Sequence, residues 1–576
     1  MFLRLADVFL LGSIILLAAA GDGRDFSEQS TLGASTVDWQ ALGRKVGGRL
    51  LEGVPFAQPC FSNSSSSECL SVQNDYLNEV VRSNSASAYI QTQWETCQTS
   101  GDQCLLNYID TRDLSPTLPP HSCKRGSVPS YFVDVGSAND VTAAFDFAKK
   151  VKIPLVIKNT GHDYKGRSSA PGSIALWTHN LKNMTYSPTF VPTGCAAEPR
   201  QAVTVGVRVQ WGEAYAFAEA HNITLVGGSD QTVGVSGGWL QGGGHGALSP
   251  SLGLGVDRVL EYKVVIPDGR LRVANECQNQ DLFWALRGGG GGTFGVVMES
   301  TILASPQVTL QTLILTFPPG NTSATREMWT IMAENGLKWA GEGWGGFSTA
   351  NVVIYLNPKL SSNEAQASMA PLLQFGKRLQ AMNATATTLI ITEFPSWHAF
   401  FEVFTSQFVA EVGSSLAIAS RLIPTTLFKT TAKQKSLVSS LLAADAATPG
   451  LIILISAPAS FNHTAGSTSV TEAWRSSLYH VTLISQWNWN ATLTEKREHY
   501  NAASASIENL RKITPDAAYL VKNEADVYEP NHEVSFWGNN YPKLLQIKKK
   551  YDPEQLLDCW HCIGFNRNNP RFSCYV

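Results

Sequence analysis

The chain has no basic run longer than Lys548-Lys549-Lys550, and its net charge is −3. Nucleic-acid binding needs a concentrated positive surface, so that class of partner is excluded. The lysine triplet follows Leu544, Leu545 and Ile547 at helical spacing, which predicts the solvated face of a helix. Beyond the first twenty residues no apolar stretch approaches the ~20 residues that a membrane span requires, so no membrane partner is expected. No Gly-Lys-Ser/Thr follows any glycine-rich stretch, which removes a P-loop. No second C-x-x-C accompanies Cys559-Trp-His-Cys562 to complete a metal cage, and the pair follows a helix rather than sitting in a β-α-β turn. A structural disulfide is the expectation there, and no metal. Internal repeats and long low-complexity segments are lacking too.

The N-terminus is the exception to the scarcity of apolar runs. Arg4, the mostly apolar stretch Val8 to Leu17 and Ala18-Ala19-Ala20 predict a signal peptide over residues 1–20. Asn-X-Ser/Thr sequons at Asn63, Asn183, Asn222, Asn321, Asn383, Asn462 and Asn490 predict N-glycans at some of these positions. The 10 cysteines are an even number and suit an oxidising compartment, with the pairing left open. A secreted or secretory-lumen protein is expected.

Residues 21–124 are Ser- and Cys-rich, with Ser64 to Ser67 as a flexible tip, and read as a stapled lobe of mainly structural role. From Pro129 the texture changes. Tyr131 to Val135 reads as a strand. Val141, Ala144, Phe145, Ala148 and Val151 follow at helical spacing with Asn139 or Asp140 as cap, and Pro154 to Lys158 reads as a second strand. Such a β-α-β unit delivers its following loop to a strand end, where ligands bind. Further strands and short helices continue to Leu303, giving one α+β domain over 125–305. Residues 306–515 mix alternating strands with longer helices and predict an antiparallel sheet covered by helices on one face. A tail, 516–576, holds a helix from about Tyr541 to Tyr551.

Glycine is concentrated in three places: the loop that carries Gly161-His162, the stretch Gly234 to Gly246, and Gly288 to Gly292. Without a Cβ, main-chain N–H groups can approach a ligand closely. Gly242-Gly-Gly244-His-Gly-Ala247, with Glu261 beyond it, matches a dinucleotide fingerprint, but Ser249-Pro250 and turn glycines follow where a helix should open. A nicotinamide site is therefore not expected. His162 is a competent nucleophile when neutral, and Thr160, Gly161 and Asp163 flank it with donors and acceptors.

Lys158-Asn-Thr-Gly-His162-Asp-Tyr-Lys-Gly166 resembles the R-S-G-G-H-x-x-x-G loop of the berberine-bridge-enzyme-like FAD-linked oxidases, of the vanillyl-alcohol-oxidase class with a PCMH-type FAD-binding domain. Thr232-Val-Gly-Val235 with the glycines up to Gly246, Asp281 to Gly295, and Phe536 to Tyr541 with Lys550 to Pro553 resemble three further segments of that family, in order. The texture is similar to a fungal secreted branch that includes isoamyl alcohol oxidase-like proteins. The resemblance implies FAD bound covalently through His162. It places Lys158, Asn159, Thr160, Gly161 and Asp163 in a first cradle and Gly228, Thr232, Val233, Gly234 and Gly238 in a second. Gly242, Gly243, Gly244, His245 and Gly246 continue that second cradle, and Asn523 and Tyr541 join from the tail.

Two departures matter. Asp230 stands where many members carry a second attaching cysteine, so a single covalent bond is expected. Glu524 replaces the tyrosine of the family's Asn-Tyr-x-Asp motif, and Thr482 stands where plant-type members have a glutamine. Glu524 or Asp526 is expected to take the substrate hydroxyl proton, its pKa raised by desolvation. The chain then reads as an oxidase of a small organic substrate such as an alcohol, with O2 reoxidising the flavin to give H2O2. Oxidative cyclisation or desaturation in a secondary-metabolite pathway uses the same fold and flavin, and a non-enzymatic binding glycoprotein is the remaining alternative.

Overall fold

A computed structural model describes residues 35–382, 386–404, 411–514 and 523–576. The signal peptide expected over residues 1–20 and the sequon at Asn383 lie outside the described residues.

The β-α-β unit forms as its pattern requires. Strands Tyr131–Asp134 and Leu155–Lys158 flank helix Ala138–Val151, which buries Val141, Ala144, Phe145, Ala148 and Val151. The cap differs from expectation. Ser137 is the N-cap, and the Asp140 carboxylate reaches back to accept from its N–H at 2.8 Å and its hydroxyl at 3.0 Å. These strands pair in parallel with Ile174–Trp177. Leu50–Glu52 adds to the other edge, antiparallel to Tyr131–Asp134, so the Cys-rich segment shares a sheet with the domain that follows it. Within that segment Ser66 caps helix Ser67–Asp75, and the serine run is a helix start rather than a loose tip.

A second sheet of five antiparallel strands runs Met184–Phe190, Arg200–Gly206, Val296–Leu303, Val259–Val265, Leu271–Asn275. The second glycine stretch is not a plain loop. Val235–Trp239 makes one wide helical turn and Leu240–Gly242 a tighter one, before Gly243 turns the chain at φ 125°.

The third sheet has seven antiparallel strands, in the order Thr388–Phe394, Leu310–Thr316, Val352–Asn357, Gly345–Ser348, Ile452–Ile455, Ser477–Trp487, Ser415–Pro424. Its side chains alternate with period two. Leu313, Leu315, Val353, Tyr355, Ile453 and Val481 enter a core shared with helices Thr322–Glu342, Ala370–Met382, Thr431–Ala447 and Leu493–Arg511. Their neighbours Ile354, Leu356, Leu454 and Ile484 face the opposite way, towards the glycine-rich domain.

The tail returns to that domain. Helix Tyr541–Tyr551 packs so that Lys548 is buried, donating to Thr293 O at 2.7 Å, Leu557 O at 2.9 Å and Asp552 Oδ2 at 2.6 Å. The expectation of a wholly solvated triplet fails because these carbonyls and a carboxylate satisfy one ammonium inside the fold. All ten cysteines pair: Cys60–Cys69, Cys104–Cys123, Cys195–Cys277, Cys559–Cys562, and Cys97–Cys574 across the chain's two ends.

Candidate active site

A cavity of about 660 Å³ lies between the glycine-rich segments and the free face of the seven-stranded sheet. Its first wall is mostly backbone: Asn159 to Asp163, Gly228 to Asp230, Val233-Gly234, Gly237-Gly238, Gly242, His245-Gly246 and Gly290 to Gly292. The glycines are required by space. A Cβ on Gly234 would stand 2.0 Å from Asn159 Oδ1, and one on Gly291 would stand 2.9 Å from Gly238 Cα. Asn159 is held by its amide nitrogen, which donates to Thr178 Oγ1 at 2.9 Å and Val207 O at 2.8 Å. The third glycine stretch is pinned to the second, with the N–H groups of Gly288 and Gly290 donating to Gln241 O at 3.1 and 2.8 Å. Asn159 Oδ1, Gln241 Oε1 and Asp230 Oδ2 are buried without a partner among the described residues. A wall of close-packed backbone with unpaired polar atoms fits a large ligand that offers both donors and an extended surface.

His162 lies on the loop after Leu155–Lys158, where Gly161 adopts φ 93°. Its Nε2 is 2.6 Å from Thr232 Oγ1 and 3.6 Å from Asp230 Oδ1. Thr232 Oγ1 is in turn 3.0 Å from Asp230 Oδ1 and 3.3 Å from Glu79 Oε2. Burial pushes the His162 imidazolium down, with Asp230 opposing, so the ring is held neutral. Glu79 comes from the N-terminal lobe; burial, then the charge of Asp230, push its carboxyl up to about 7.

The second cluster joins the tail to the glycine wall. Glu524 Oε1 is 3.4 Å from His245 Nε2, and Glu524 Oε2 has no partner among the described residues. The His245 ring stacks on Trp474 at 5.4 Å and meets His480 edge-on at 5.4 Å. Burial, then the charge of His245, hold His480 down at about 3, so it is neutral. For Glu524 the expected upward shift is reversed. Burial does raise its carboxyl, but the hydrogen bond and charge of His245 hold it below the usual carboxylate range. Next to it, Asn523 Nδ2 donates to His162 O at 3.0 Å, and its Oδ1 accepts from Tyr164 N at 3.0 Å. Two consecutive residues of the tail thus hold the histidine loop and present a carboxylate to the same cavity.

Several expected residues stand back from it. The Lys158 ammonium is buried, donates to Ser85 O at 2.7 Å and lies 5.0 Å from the Tyr89 ring centre; burial holds its pKa down at about 7. Thr232 backs His162 rather than lining the space. Gly243 and Gly244 form the turn beyond it, where a Cβ on Gly244 would strike Trp239 at 2.6 Å. Asp526 is buried away from the cavity, accepting from Ser504 Oγ and from Tyr528 N at 2.8 Å, and burial raises its carboxyl. Tyr541 OH accepts from Gly564 N at 3.2 Å and does not line the cavity.

Residues that the sequence did not single out complete the picture. Glu79 carried no signal, because its partner Thr232 is 153 positions away. The second wall, Phe347, Val352, Ile354, Leu454 and Ile484, comes from separate strands and forms no motif, while Thr482, which the resemblance had singled out, stands among them. Only a period-two reading of each strand could have picked out those side chains.

Residues 129–275 match the family model of the FAD binding domain, and residues 518–561 that of berberine and berberine-like proteins. The chain is 39% identical to the FAD-linked oxidoreductase ffsJ of Aspergillus flavipes, over 92% of each chain. Among solved structures, the VAO-type flavoprotein MtVAO615 of Myceliophthora thermophila superposes with a TM-score of 0.81 at 26% identity, covering 94% of this chain and 97% of that one. A glucooligosaccharide oxidase of Acremonium strictum with 6-S-cysteinyl, 8α-N1-histidyl FAD shares the fold at a TM-score of 0.59 and 18% identity, over 76% of this chain and 91% of its own.

Proposed function

The chain belongs to the FAD-linked oxidoreductases, and on that premise we propose that it is a secreted oxidase with FAD attached covalently through His162, taking a hydride from an alcohol or related small organic substrate. The observation that carries this reading is the single cavity with neutral His162 on one wall and the Glu524–His245 pair reaching it from the tail.

The glycine segments would hold the dinucleotide with backbone N–H groups. Bound there, the flavin supplies the two-electron acceptor, and dioxygen takes the electrons on to give H2O2. The chain's own task is the proton. Glu524 is an anion with one oxygen unpaired, suited to accept a substrate hydroxyl proton, while His245 orients the carboxylate through its other oxygen. Asn523 fixes the position of the His162 backbone relative to that carboxylate. The single attachment follows from Asp230, which has no sulfur to form a second bond. Asp526 is buried away from the cavity and supports the tail rather than taking the proton.

Export is supported by the five disulfides, by the N-terminal apolar stretch, and by the exposure of Asn63, Asn183, Asn222, Asn321, Asn462 and Asn490. No helix among the described residues is long and apolar enough to cross a membrane.

The test is acid-denatured protein run on a gel and viewed for flavin fluorescence, beside a peroxide assay over a panel of alcohols. Fluorescence that stays with the chain and vanishes in His162→Ala supports the covalent oxidase. Folded protein free of any flavin would overturn it.

A further inference from the structure

The side chains behind His162 form a series of close polar atoms that begins at one ring nitrogen. Thr232 Oγ1 lies 2.6 Å from His162 Nε2, 3.0 Å from Asp230 Oδ1 and 3.3 Å from Glu79 Oε2. A hydroxyl has one proton to give and two lone pairs with which to accept. With a carboxylate on its far side, the hydroxyl donates to Asp230, because an ionised acceptor makes the stronger bond. It must then accept from His162, which places the imidazole proton on Nε2. That tautomer leaves Nδ1 with a free lone pair and no hydrogen-bond partner among the described residues, on a side chain that lines the cavity. Asp230 is itself positioned locally, its Oδ1 accepting from Thr232 N at 2.8 Å. Glu79 is anchored by Gln231, whose Nε2 donates to its other oxygen at 2.5 Å. A carboxylate, a hydroxyl and an imidazole in series are more than a surface polar cluster, since His162 and Thr232 are both buried.

We propose that Thr232 and Asp230 are positioning residues for the attachment of the flavin: they fix His162 with Nδ1 as the bonding atom and carry away its Nε2 proton as the bond forms. The inference rests on the reading that His162 bears the cofactor, and extends it to how the protein makes that link itself. The new bond joins Nδ1 to the 8α carbon of FAD, and the bond broken there is a C–H of the 8α methyl group. The two electrons of that C–H bond stay on the flavin and then pass to dioxygen. The methyl proton and the Nε2 proton, the latter by way of Thr232 and Asp230, end on the same oxygen molecule as H2O2. Glu79, 3.3 Å from Thr232 Oγ1, stands at the outer end of the path.

The test uses the full chain produced without flavin and then supplied with FAD under air. Flavin bound in the native protein is read by absorbance after desalting, and flavin that survives acid denaturation is read by fluorescence in the gel band over time. In Asp230→Asn and Thr232→Val, native binding is expected to persist while the attachment rate falls by roughly 10²-fold, the loss typical of removing a proton-accepting group. Thr232→Ser keeps the hydroxyl and is expected to restore most of the rate. Asp230→Asn or Thr232→Val attaching flavin as fast as the parent would overturn the proposal, as would Thr232→Ser behaving like Thr232→Val. A parent chain that binds FAD yet never holds it through denaturation would overturn the linkage reading and the relay together, whereas slow attachment confined to the variants separates the two.

Discussion

The two walls of the cavity are built from different materials. The glycine-rich wall is backbone, folded into contiguous segments where one added methyl group meets a neighbouring atom, as at Gly234 and Gly291. The opposite wall is side chain, every second residue of strands such as Val352–Asn357, Ile452–Ile455 and Ser477–Trp487. Close backbone packing tolerates almost no substitution, because any side chain there would put a Cβ into a neighbouring atom. A wall of Ile, Leu, Val and Phe side chains can change its shape by single exchanges and keep the sheet intact. On the proposed reading, the first wall ties the chain to one cofactor, and the second is where one member of the family can differ from another.

That contrast can be broken most directly at Gly234. Gly234→Ala is expected to lose flavin by at least roughly tenfold, since a Cβ 2.0 Å from Asn159 Oδ1 forces an overpacking cost of ~1–3 kcal/mol or more on the loop. Visible absorbance per folded chain measures it. Parent-like absorbance would mean that the glycine-rich wall is as adaptable as the other. Glu524→Gln comes next and should separate chemistry from binding: turnover falls ~10²–10⁴-fold while flavin content stays at the parent level. Paired changes on one strand then sharpen the comparison. Ile453→Ala, on the helix side, should cost ~2–5 kcal/mol in urea unfolding with little change in KM. Leu454→Ala, one residue on and facing the cavity, should shift KM by roughly tenfold for an apolar substrate with a smaller stability loss.

The smallest effect is a matter of pH. Glu79 has its carboxyl raised from 4.5 to about 7 in the fold. The native chain thus keeps a proton that the unfolded chain releases across that window. Its contribution to stability is full below 4.5 and is lost as pH rises towards about 7, with no further change above. Thermal unfolding of Glu79→Gln should show a flatter pH profile over the same window. An unchanged profile would place the burial effect on another group.

The same division explains what could be read from the amino-acid sequence. His162, Gly234 and Gly290 to Gly292 stand in short motifs, because a backbone cradle is local in the chain and only glycine can build it. The β-α-β unit and helix Tyr541–Tyr551 were legible through their periodic apolar residues. What escaped was tertiary. The helical turns at Val235–Gly242 run against the weak helix propensity of glycine and are tied to the third glycine stretch, whose Gly288 and Gly290 N–H groups donate to Gln241 O. Lys548 is buried by carbonyls from Thr293 and Leu557 that no local pattern announces. The direction of the Glu524 shift depends on His245, a residue from another wall, so a desolvation argument alone gave the wrong sign.

The bond between Cys97 and Cys574 spans 477 positions and joins the N-terminal Cys-rich segment to the C-terminal tail. Topologically, it turns nearly the whole molecule into a ring. A protease that cuts once at any exposed loop inside the ring opens the circle without releasing a fragment. One nick is then survivable: the pieces stay tethered, the glycine wall and the tail keep their mutual address, and only reduction or a second cut lets them part.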